Sequence, residues 1–406
     1  MIHVCFALYD KNGTYSKFTG TTMLSIFENT ITPPQLPSIT IHILHDNTLT
    51  LDNREKFSYL AGQYNQRVKF YNVEELCADK LEEIINLNPT LKTSRYNIAT
   101  FYRLLIAQIL PADVDKIIYL DSDIIVNLDL NELWRIELGD KPFAAVPESS
   151  NGVNTQGFAL CREGYVKDED YFNAGVLMIN TKVFGNEKLL MSGIKFLGEH
   201  PQCVHVDQDV LNYLFTKDYL KLPVKFNFFT VHVRHLEKAN YERVIYHFAG
   251  PAFGITMNNP FNRLWLKYFS KTPWFGAETV EHLYTSFRQI HVVLKNSMIQ
   301  ISAAMSGKTR AFFTAPVNVN ALKNIFLVRD DEEILLAENQ SSLQKLIDAM
   351  NSSRGKKVFI ILLPYFPFRA LTEAGFVHGR DFLNGFESLS AAHGLPLDSY
   401  QFIKAM

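Results

Sequence analysis

Residues 117–126 read Ile-Ile-Tyr-Leu-Asp-Ser-Asp-Ile-Ile-Val, with apolar residues on both sides of two aspartates. This pattern is typical of a buried β-strand. Asp121 and Asp123 stand one residue apart where the strand ends, so both carboxylates can face the same point. Because two like charges beside a core are costly without a cation, the stretch predicts a divalent metal site for a phosphate-bearing substrate. The alternative is a solvated turn in which Asp121 or Ser122 caps the next element.

Strand and helix patterns alternate along the chain up to these aspartates. The predicted strands are residues 2–8, 39–45, 67–71 and the strand that ends at 121. The predicted helices are residues 15–29, 51–64 and 96–110. This alternation predicts an α/β fold with a mostly parallel sheet. In such sheets ligands bind beyond the carboxyl ends of the strands, which is where the acidic pair lies.

The pattern changes after the acidic pair. Strands are predicted at 143–146, 171–180 and 243–248, helices at 182–199 and 208–215, and loops at 149–170 and 251–260. The composition shifts near Trp274, and beyond it we expect helices at 277–305, 342–350, 364–374 and 381–391 and strands at 325–328 and 357–363. We therefore divide the chain into a domain of residues 1–275 and a smaller α/β domain of residues 276–406.

The composition is that of an ordinary globular protein with room for a large core. The 406 residues are 47% hydrophobic and 20% charged, and the net charge of -2 gives no reason to expect a nucleic-acid partner. The sequence has no run of roughly 18 apolar residues that would span a membrane, and its N-terminus does not resemble a signal peptide. Four scattered cysteines are expected to be reduced thiols, so we predict a cytoplasmic protein.

Three further polar segments are candidates for the same site. Asn173 and two small residues open the strand at 171–180, which suits either a close backbone approach by a ligand or a β-bulge. Residues 207–209 put three polar groups at the start of a helix, where Asp207 as N-cap is the alternative interpretation. His247 ends a strand. A lone histidine there is more often a core or surface residue, and only its combination with the acidic pair indicates a metal ligand. Two carboxylates and one imidazole suit Mn²⁺.

The order of these motifs resembles the family 8 retaining glycosyltransferases, which have the GT-A (Rossmann-like) fold. The resemblance covers roughly residues 1–275. It rests on Ala7, Asp10, Arg103, the segments 119–123 and 172–180, Asp207-Gln208-Asp209 and His247-Phe248-Ala249-Gly250. Residues 2–29 and 272–274 look most like bacterial members that glycosylate surface carbohydrates or adhesins.

The resemblance implies a role for each matching position. Asp121, Asp123 and His247 would hold Mn²⁺, with Mg²⁺ as the alternative, at the diphosphate of a UDP-sugar. Asp207 would hydrogen-bond the sugar hydroxyls, and Gln208 would lie near the anomeric carbon. The other donor-binding positions would be Ala7, Asp10 and Tyr15 at the uracil and ribose, Ser122 within the acidic motif, Arg103, Asn173 and Gly175 at the sugar, and Gly250 at the diphosphate.

The resemblance also implies an activity. It is the transfer of a hexose, galactose favoured over glucose, from a UDP-sugar to a glycan or a glycosylated surface protein. Because glutamine at position 208 is a poor nucleophile, front-face attack is favoured over a covalent route through Asp207. Residues 276–406 have no counterpart in the family pattern, and we expect them to recognise the acceptor, form a homodimer or contact other enzymes of a pathway.

One position departs from the family pattern. The family continues His-x-x-Gly-x-x-Lys-Pro-Trp, whereas Phe253 stands at the lysine position. Arg263 or Lys267 could supply the missing cation for the phosphate, and the alternative is that the bulk of donor binding rests on the metal. The departure keeps open a non-catalytic nucleotide-sugar or carbohydrate-binding protein on the same scaffold. A metal-dependent phosphohydrolase, the third hypothesis, would need more carboxylates or histidines than the motifs group together.

Overall fold

The computed structural model describes residues 1–13, 15–33, 38–92, 98–230, 242–249, 261–281, 284–285, 307–319, 322–323, 328–339, 341–363 and 366–385. These residues divide into two compact units, one ending at Gly276 and the other beginning at Ala277. Within them, none of the helices combines the length and the apolarity that crossing a bilayer requires.

The first unit contains a seven-stranded sheet and a three-stranded sheet. Its strands are β1 Ile2–Leu8, β2 Ile39–His45, β3 Arg67–Asn72, β4 Lys116–Leu120, β5 Ile124–Val126, β6 Phe143–Pro147, β7 Phe172–Asn180, β8 Leu220–Lys221, β9 Phe228–Phe229 and β10 Ile245–His247. The strand orders are β3-β2-β1-β4-β7-β6-β8 and β5-β10-β9. Strands β1 to β4 pair in parallel, and β7 runs antiparallel to both β4 and β6. The predicted α/β fold with a mostly parallel sheet is confirmed, with β7 as the antiparallel strand within it.

The helices of this unit lie between the strands along the chain. They are α1 Ser16–Asn29, α2 Leu51–Gln63, α3 Val73–Leu76, α4 Ala78–Leu87, α5 Ile106–Ile109, α6 Asn131–Trp134, α7 Ala159–Arg162, α8 Thr181–Phe184, α9 Glu187–Glu199, α10 Val206–Phe215 and α11 Asn262–Phe269. The predicted helix at 182–199 is two helices, because Gly185 and Asn186 interrupt it and the Asn186 side chain caps α9 by accepting from Leu189 N.

The predicted α-helix at 96–110 is wrong over most of its described length. Ile98–Leu105 form a 3₁₀ helix, and only α5 that follows is α-helical. Residues 101–106 are all buried. Tertiary packing on every side, rather than intrinsic helix preference, therefore sets the winding of this segment.

The second unit is a smaller α/β domain with a four-stranded parallel sheet. Its strands are β11 Thr309–Thr314, β12 Glu333–Leu336, β13 Lys357–Leu362 and β14 Phe382–Asn384, in the order β12-β11-β13-β14. Its helices are α12 Ser342–Ser352 and α13 Phe368–Glu373. The sequence missed β11 and β12.

The predicted helix at 381–391 is wrong where the structure describes it, since Phe382–Asn384 form β14. Phe382 and Leu383 belong to different apolar clusters, which is the two-residue alternation of a strand. The rest of the predicted helix at 381–391, from residue 386 on, lies outside the described residues. So do the loop at 251–260, most of the predicted helix at 277–305 and most of the predicted strand at 325–328.

Candidate active site

The turn between β4 and β5 carries the acidic pair and connects the two sheets. The Asp121 N–H donates to the Gly175 carbonyl in β7 (2.8 Å), which ties Asp121 to the large sheet. The Phe248 N–H donates to the Asp123 carbonyl (2.9 Å), which ties Asp123 to the end of β10 in the small sheet. Both carboxylates are half-buried. The turn thus holds two carboxylates at the junction of the sheets.

His247 joins the pair through the register of the small sheet. Strand β10 runs antiparallel to β5 and places His247 opposite Ile124, next to Asp123. Its Nε2 lies 3.3 Å from Asp123 Oδ1, and one ligand atom from each of Asp121, Asp123 and His247 lies within 4.8 Å of the others. Two carboxylates and an imidazole at this spacing fit Mn²⁺ and, less well, the oxygen-preferring Mg²⁺.

Asp123 and His247 shift each other's pKa. Burial alone would lower the pKa of His247, but the charge of Asp123 raises it above its usual value. Burial alone would raise the pKa of Asp123, but His247 lowers it. A proton on the imidazole and a cation at the cluster therefore compete for the same negative charge.

Gly175 is required by the packing of this cluster. A Cβ built there would overlap the His247 ring, and it would lie 2.9 Å from Asp121 Oδ2 and 3.0 Å from Asn173 Oδ1. Real side chains do not approach so closely. Gly175 thus leaves the space that Asp121, Asn173 and His247 occupy, and its expected role beside the donor sugar stays a prediction.

Arg103 is a buried link between the acidic pair and the helix α10. Its guanidinium forms ion pairs with Asp121 Oδ1 (3.0 Å) and Asp207 Oδ2 (2.9 Å). It also donates to the Ala174 carbonyl (2.7 Å) and lies 4.5 Å from the centre of the Tyr119 ring. Its contacts fix two carboxylates of the site relative to each other.

Asp207 lies in the first turn of α10 and is almost fully buried. Burial raises its pKa to about 6, against the opposing charge of Arg103 and with a further contribution from Asp121. The alternative interpretation of Asp207 as an N-cap is wrong. The N-cap is His205, whose N–H donates to Asp209 Oδ2 (2.8 Å), and Tyr171 OH donates to the other oxygen of Asp209 (2.7 Å).

The backbone at the start of α10 is strained. Val206, immediately before Asp207, has a φ of 38°, which β-branched residues rarely adopt. Such strain costs on the order of 1–3 kcal/mol and persists where surrounding contacts enforce it. The hydrogen bonds from His205 and Tyr171 to Asp209 bracket this residue and hold the segment that carries Asp207 and Gln208.

Asn173 and Gln208 face each other in a network of amides. Gln208 Oε1 accepts from the Ala174 N–H (2.9 Å) and from Asn173 Nδ2 (3.1 Å). Both amide nitrogens also donate to Glu148 Oε1, at 3.0 Å from Asn173 and 3.2 Å from Gln208. Asn173 Oδ1 accepts from Asn227 Nδ2 (2.8 Å), and Asn227 Oδ1 lies 2.9 Å from His247 Nδ1.

Sequence reasoning missed Glu148 and Asn227. Glu148 directly follows β6, and β4 and β6 run in the same direction because both are antiparallel to β7. The position after β6 therefore carried the same strand-end signal as Asp121. Asn227 lies between Phe226 and Phe228, and no spacing in the sequence marks it as a site residue.

The remaining candidates lie on the side of β1 and α1. Both Asp10 oxygens are used within the protein, by Tyr15 N (2.6 Å), Ser16 N (3.2 Å), Ser16 Oγ (2.5 Å) and Asn53 Nδ2 (2.7 Å), so Asp10 shapes the loop before α1. Ser122 is buried and its hydroxyl pairs with Thr19 Oγ1 (2.7 Å). Ala7 is half-buried near the end of β1, and Tyr15 is exposed at the start of α1.

The two cations considered as replacements for the lysine lie on α11. Arg263 and Lys267 are exposed, one turn apart, and Lys267 lies 5.2 Å from the centre of the Tyr268 ring. Among the described residues, neither forms an ion pair with Asp121, Asp123 or His247. Gly250 and Phe253 lie outside the described residues.

Sequence comparisons find similar proteins among bacterial glycosyltransferases. The chain is 26% identical over 252 residues to a putative glycosyltransferase of Haemophilus influenzae, covering 60% of this chain and 71% of that protein. It is 28% identical over 216 residues to the lipopolysaccharide 1,2-glucosyltransferase of Escherichia coli (52% and 59%). It is 26% identical over 239 residues to the lipopolysaccharide 1,3-galactosyltransferase of Salmonella typhimurium (55% and 66%). The chain thus spans less than two thirds of the length of these last two relatives.

Two solved structures share the fold. The galactosyltransferase LgtC with donor and acceptor sugar analogues superposes with a TM-score of 0.52 at 22% identity, covering 68% of this chain and 98% of that chain. The bifunctional glycosyltransferase WbbM gives a TM-score of 0.52 at 20% identity, covering 68% and 50%. These likenesses identify the first unit as a GT-A fold. Residues 5–252, more than half of the chain, match the sequence pattern of glycosyl transferase family 8, and the protein belongs to that family.

Proposed function

We propose that the protein is a metal-dependent retaining hexosyltransferase that uses a UDP-sugar, with galactose favoured over glucose, and acts on a glycan or a glycosylated surface protein. The observation that carries this proposal is the convergence of Asp121, Asp123 and His247 beside the Arg103–Asp207 ion pair. Relatives that are lipopolysaccharide glucosyl- and galactosyltransferases support a hexose donor and a carbohydrate acceptor.

The cluster fits a divalent cation, for which we propose Mn²⁺ in preference to Mg²⁺ because one ligand is an imidazole. Bound there, the cation would neutralise the charge that develops on the UDP leaving group. Arg103 holds Asp121 at a fixed distance from Asp207. Asp207 is proposed to position the sugar through its hydroxyls.

The contacts of Asp207 and Gln208 support front-face attack over a covalent route. The Asp207 carboxylate is buried and paired with Arg103, and the Gln208 amide oxygen already accepts two hydrogen bonds. Neither group is a free nucleophile for the anomeric carbon. In the proposed step the bond from the anomeric carbon to the phosphate oxygen breaks, the bond to the acceptor oxygen forms on the same face, and the acceptor proton passes to the leaving phosphate.

The test is UDP release from a panel of UDP-sugars with Mn²⁺, with Mg²⁺ and with a chelator. The wild type is compared with Asp123→Asn and with Asp52→Asn, whose exposed carboxylate pairs with Lys56 on the surface of α2. The proposal would be supported if UDP is released from one donor, if the release is lost with chelator and in Asp123→Asn, and if it is retained in Asp52→Asn. Tight UDP binding with no release from any donor, with sugar acceptors present, would favour the non-catalytic sugar-binding protein instead.

We extend the proposal to the rest of the chain. The four cysteines are free thiols, which supports a reducing compartment such as the cytoplasm. The family match ends at residue 252, so we propose that residues 276–406 serve acceptor recognition or self-association. Light scattering of the full chain during size exclusion measures the second role directly.

A further inference from the structure

Glu148 is a buried carboxylate that receives two amide groups on one oxygen. It follows β6, is 5% exposed, and its Oε1 accepts from Asn173 Nδ2 (3.0 Å) and Gln208 Nε2 (3.2 Å). An ionised carboxylate can only accept hydrogen bonds. Both amide groups must therefore turn their nitrogens toward Glu148 and their oxygens away from it.

This constraint passes from Asn173 to the metal-ligand cluster. With its nitrogen toward Glu148, Asn173 presents Oδ1 to the Gly175 N–H (2.9 Å) and to Asn227 Nδ2 (2.8 Å). Asn227 has then used its nitrogen, so its Oδ1 is the atom that lies 2.9 Å from His247 Nδ1. An amide oxygen can only accept, and His247 Nδ1 must carry a proton.

The opposite orientation of the Asn173 amide is excluded by two of its partners. It would place the Asn173 oxygen against the Glu148 carboxylate, and it would leave the Gly175 N–H facing an amide nitrogen. Glu148 can only accept and the backbone N–H can only donate. In the neutral imidazole the lone pair therefore resides on Nε2, the atom that lies 3.3 Å from Asp123 Oδ1.

A second path from Glu148 fixes Gln208. With Nε2 held by Glu148, Gln208 must turn Oε1 to the Ala174 N–H (2.9 Å). One carboxylate thereby sets the orientation of the residue proposed to lie near the anomeric carbon and the tautomer of the histidine in the metal cluster.

We propose that Glu148 is a positioning residue that orients Gln208 directly and His247 through Asn173 and Asn227. This inference rests on the proposed function for its significance in catalysis. Its structural content, the tautomer of His247, is independent of whether the protein transfers a sugar.

The first experiment measures Mn²⁺ binding to the full chain by the EPR signal of free Mn²⁺. Asn227→Leu removes the direct partner of His247 and is expected to weaken binding about 10- to 100-fold, the usual effect of losing such a partner. Glu148→Leu acts one step further away, while the Gly175 N–H still supports Asn173, so the expected loss is about tenfold. Glu148→Gln keeps an accepting oxygen and is expected to bind as the wild type does.

Gln208→Leu separates the two paths. It removes one of the two acceptors of Asn173 Nδ2 and leaves Glu148 in place, so Mn²⁺ affinity should stay near the wild-type value while UDP release falls. A Glu148→Leu protein that is folded by circular dichroism and binds Mn²⁺ with unchanged affinity would overturn the proposal. So would a Gln208→Leu protein that loses as much affinity as Asn227→Leu.

The second experiment reads the tautomer in the absence of metal. Nitrogen-15 NMR of the imidazoles, with the His247 signals identified by their loss in His247→Gln, should show protonated Nδ1 in the wild type and a mixture of tautomers in Asn227→Leu. A neutral His247 imidazole that carries its proton on Nε2 in the wild type would refute the proposed hydrogen-bond path from Glu148. If the wild type binds no Mn²⁺ at all, the proposed function fails, and this measurement still decides the inference.

Discussion

Arg103 Nε lies 2.9 Å from Asp207 Oδ2, and both side chains are buried, at 9% and 6% exposed. The same guanidinium also pairs with Asp121 at 3.0 Å. Two elements distant in sequence, the β4–β5 turn and α10, are thus held at a fixed spacing by one planar cation. A lysine has neither the planar fork nor the reach to satisfy both carboxylates.

Replacing Arg103 should therefore affect stability and turnover together. Arg103→Ala leaves the buried Asp207 and the half-buried Asp121 without their cation and is expected to lower the free energy of unfolding by about 3–5 kcal/mol, mostly through Asp207. Arg103→Lys keeps the charge and should lose less stability but most of the UDP release. Urea unfolding and initial rates measure the two effects. Full activity in Arg103→Lys would show that the bidentate geometry is unimportant.

Asp207→Asn is expected to abolish transfer and yet stabilise the folded protein near neutral pH. The pKa of Asp207 is raised from 3.8 to about 6 because of its burial. Below the unfolded pKa the carboxyl is protonated in both states and costs nothing. As the pH rises through the folded pKa the ionised form must be buried, at a cost of about 3 kcal/mol.

The asparagine variant escapes this cost, so its advantage in the free energy of unfolding should grow between about pH 4 and about pH 7. Urea titrations across that range measure the difference. Asp218→Asn, at an exposed ion pair with Lys141, is the control and should show little pH-dependent gain. An advantage of Asp207→Asn that is the same at every pH would contradict the burial of an ionised Asp207.

Mn²⁺ binding is expected to weaken in acid because of His247. Asp123 raises the pKa of His247 above 6.5, and a protonated imidazole cannot ligate a cation. Below that pKa the apparent affinity should fall by about tenfold per pH unit. Titrations of the wild type and His247→Gln at several pH values provide the measurement. A wild-type slope equal to that of His247→Gln would exclude His247 as a ligand.

Gly175→Ala should disturb the group formed by Asp121, Asp123 and His247, because it adds one methyl group beside them. The added Cβ would overlap the His247 ring and crowd Asp121, so weaker Mn²⁺ binding and lower stability are expected, with a cost of about 1–3 kcal/mol for overpacking. Gly62→Ala in α2 is the matched control, because a Cβ there meets nothing within 4 Å. It should stabilise by about 0.5–1 kcal/mol. Calorimetry and Mn²⁺ titration of both variants decide whether space at Gly175 is required.

The sequence was sufficient for the elements whose burial is regular. The predicted strands at 2–8 and 39–45 are β1 and β2 to the residue, because apolar runs bounded by polar loops admit one interpretation. It failed at residues 98–105 and 382–384, where tertiary packing overrides local preference.

The site was partly visible in the sequence for a similar reason. Asp121 and Asp123 follow a strand, so their placement could be inferred from topology alone. The contact between His247 and Asp123 depends on the pairing of β10 with β5, which are roughly 120 residues apart in the chain. No local sequence pattern encodes that pairing. Glu148 carried a strand-end signal because it follows β6, whereas Asn227 acts through side-chain hydrogen bonds that no spacing in the sequence marks.

The position of the acidic turn between two sheets has a mechanical consequence. Asp121 is anchored to the large sheet and His247 belongs to the small one. An ion held by both would act as a cross-link between two separately paired hydrogen-bond ladders. Binding of the ion would therefore add to the coupling that the covalent turn between β4 and β5 already provides, and it would stabilise the paired arrangement of the two sheets.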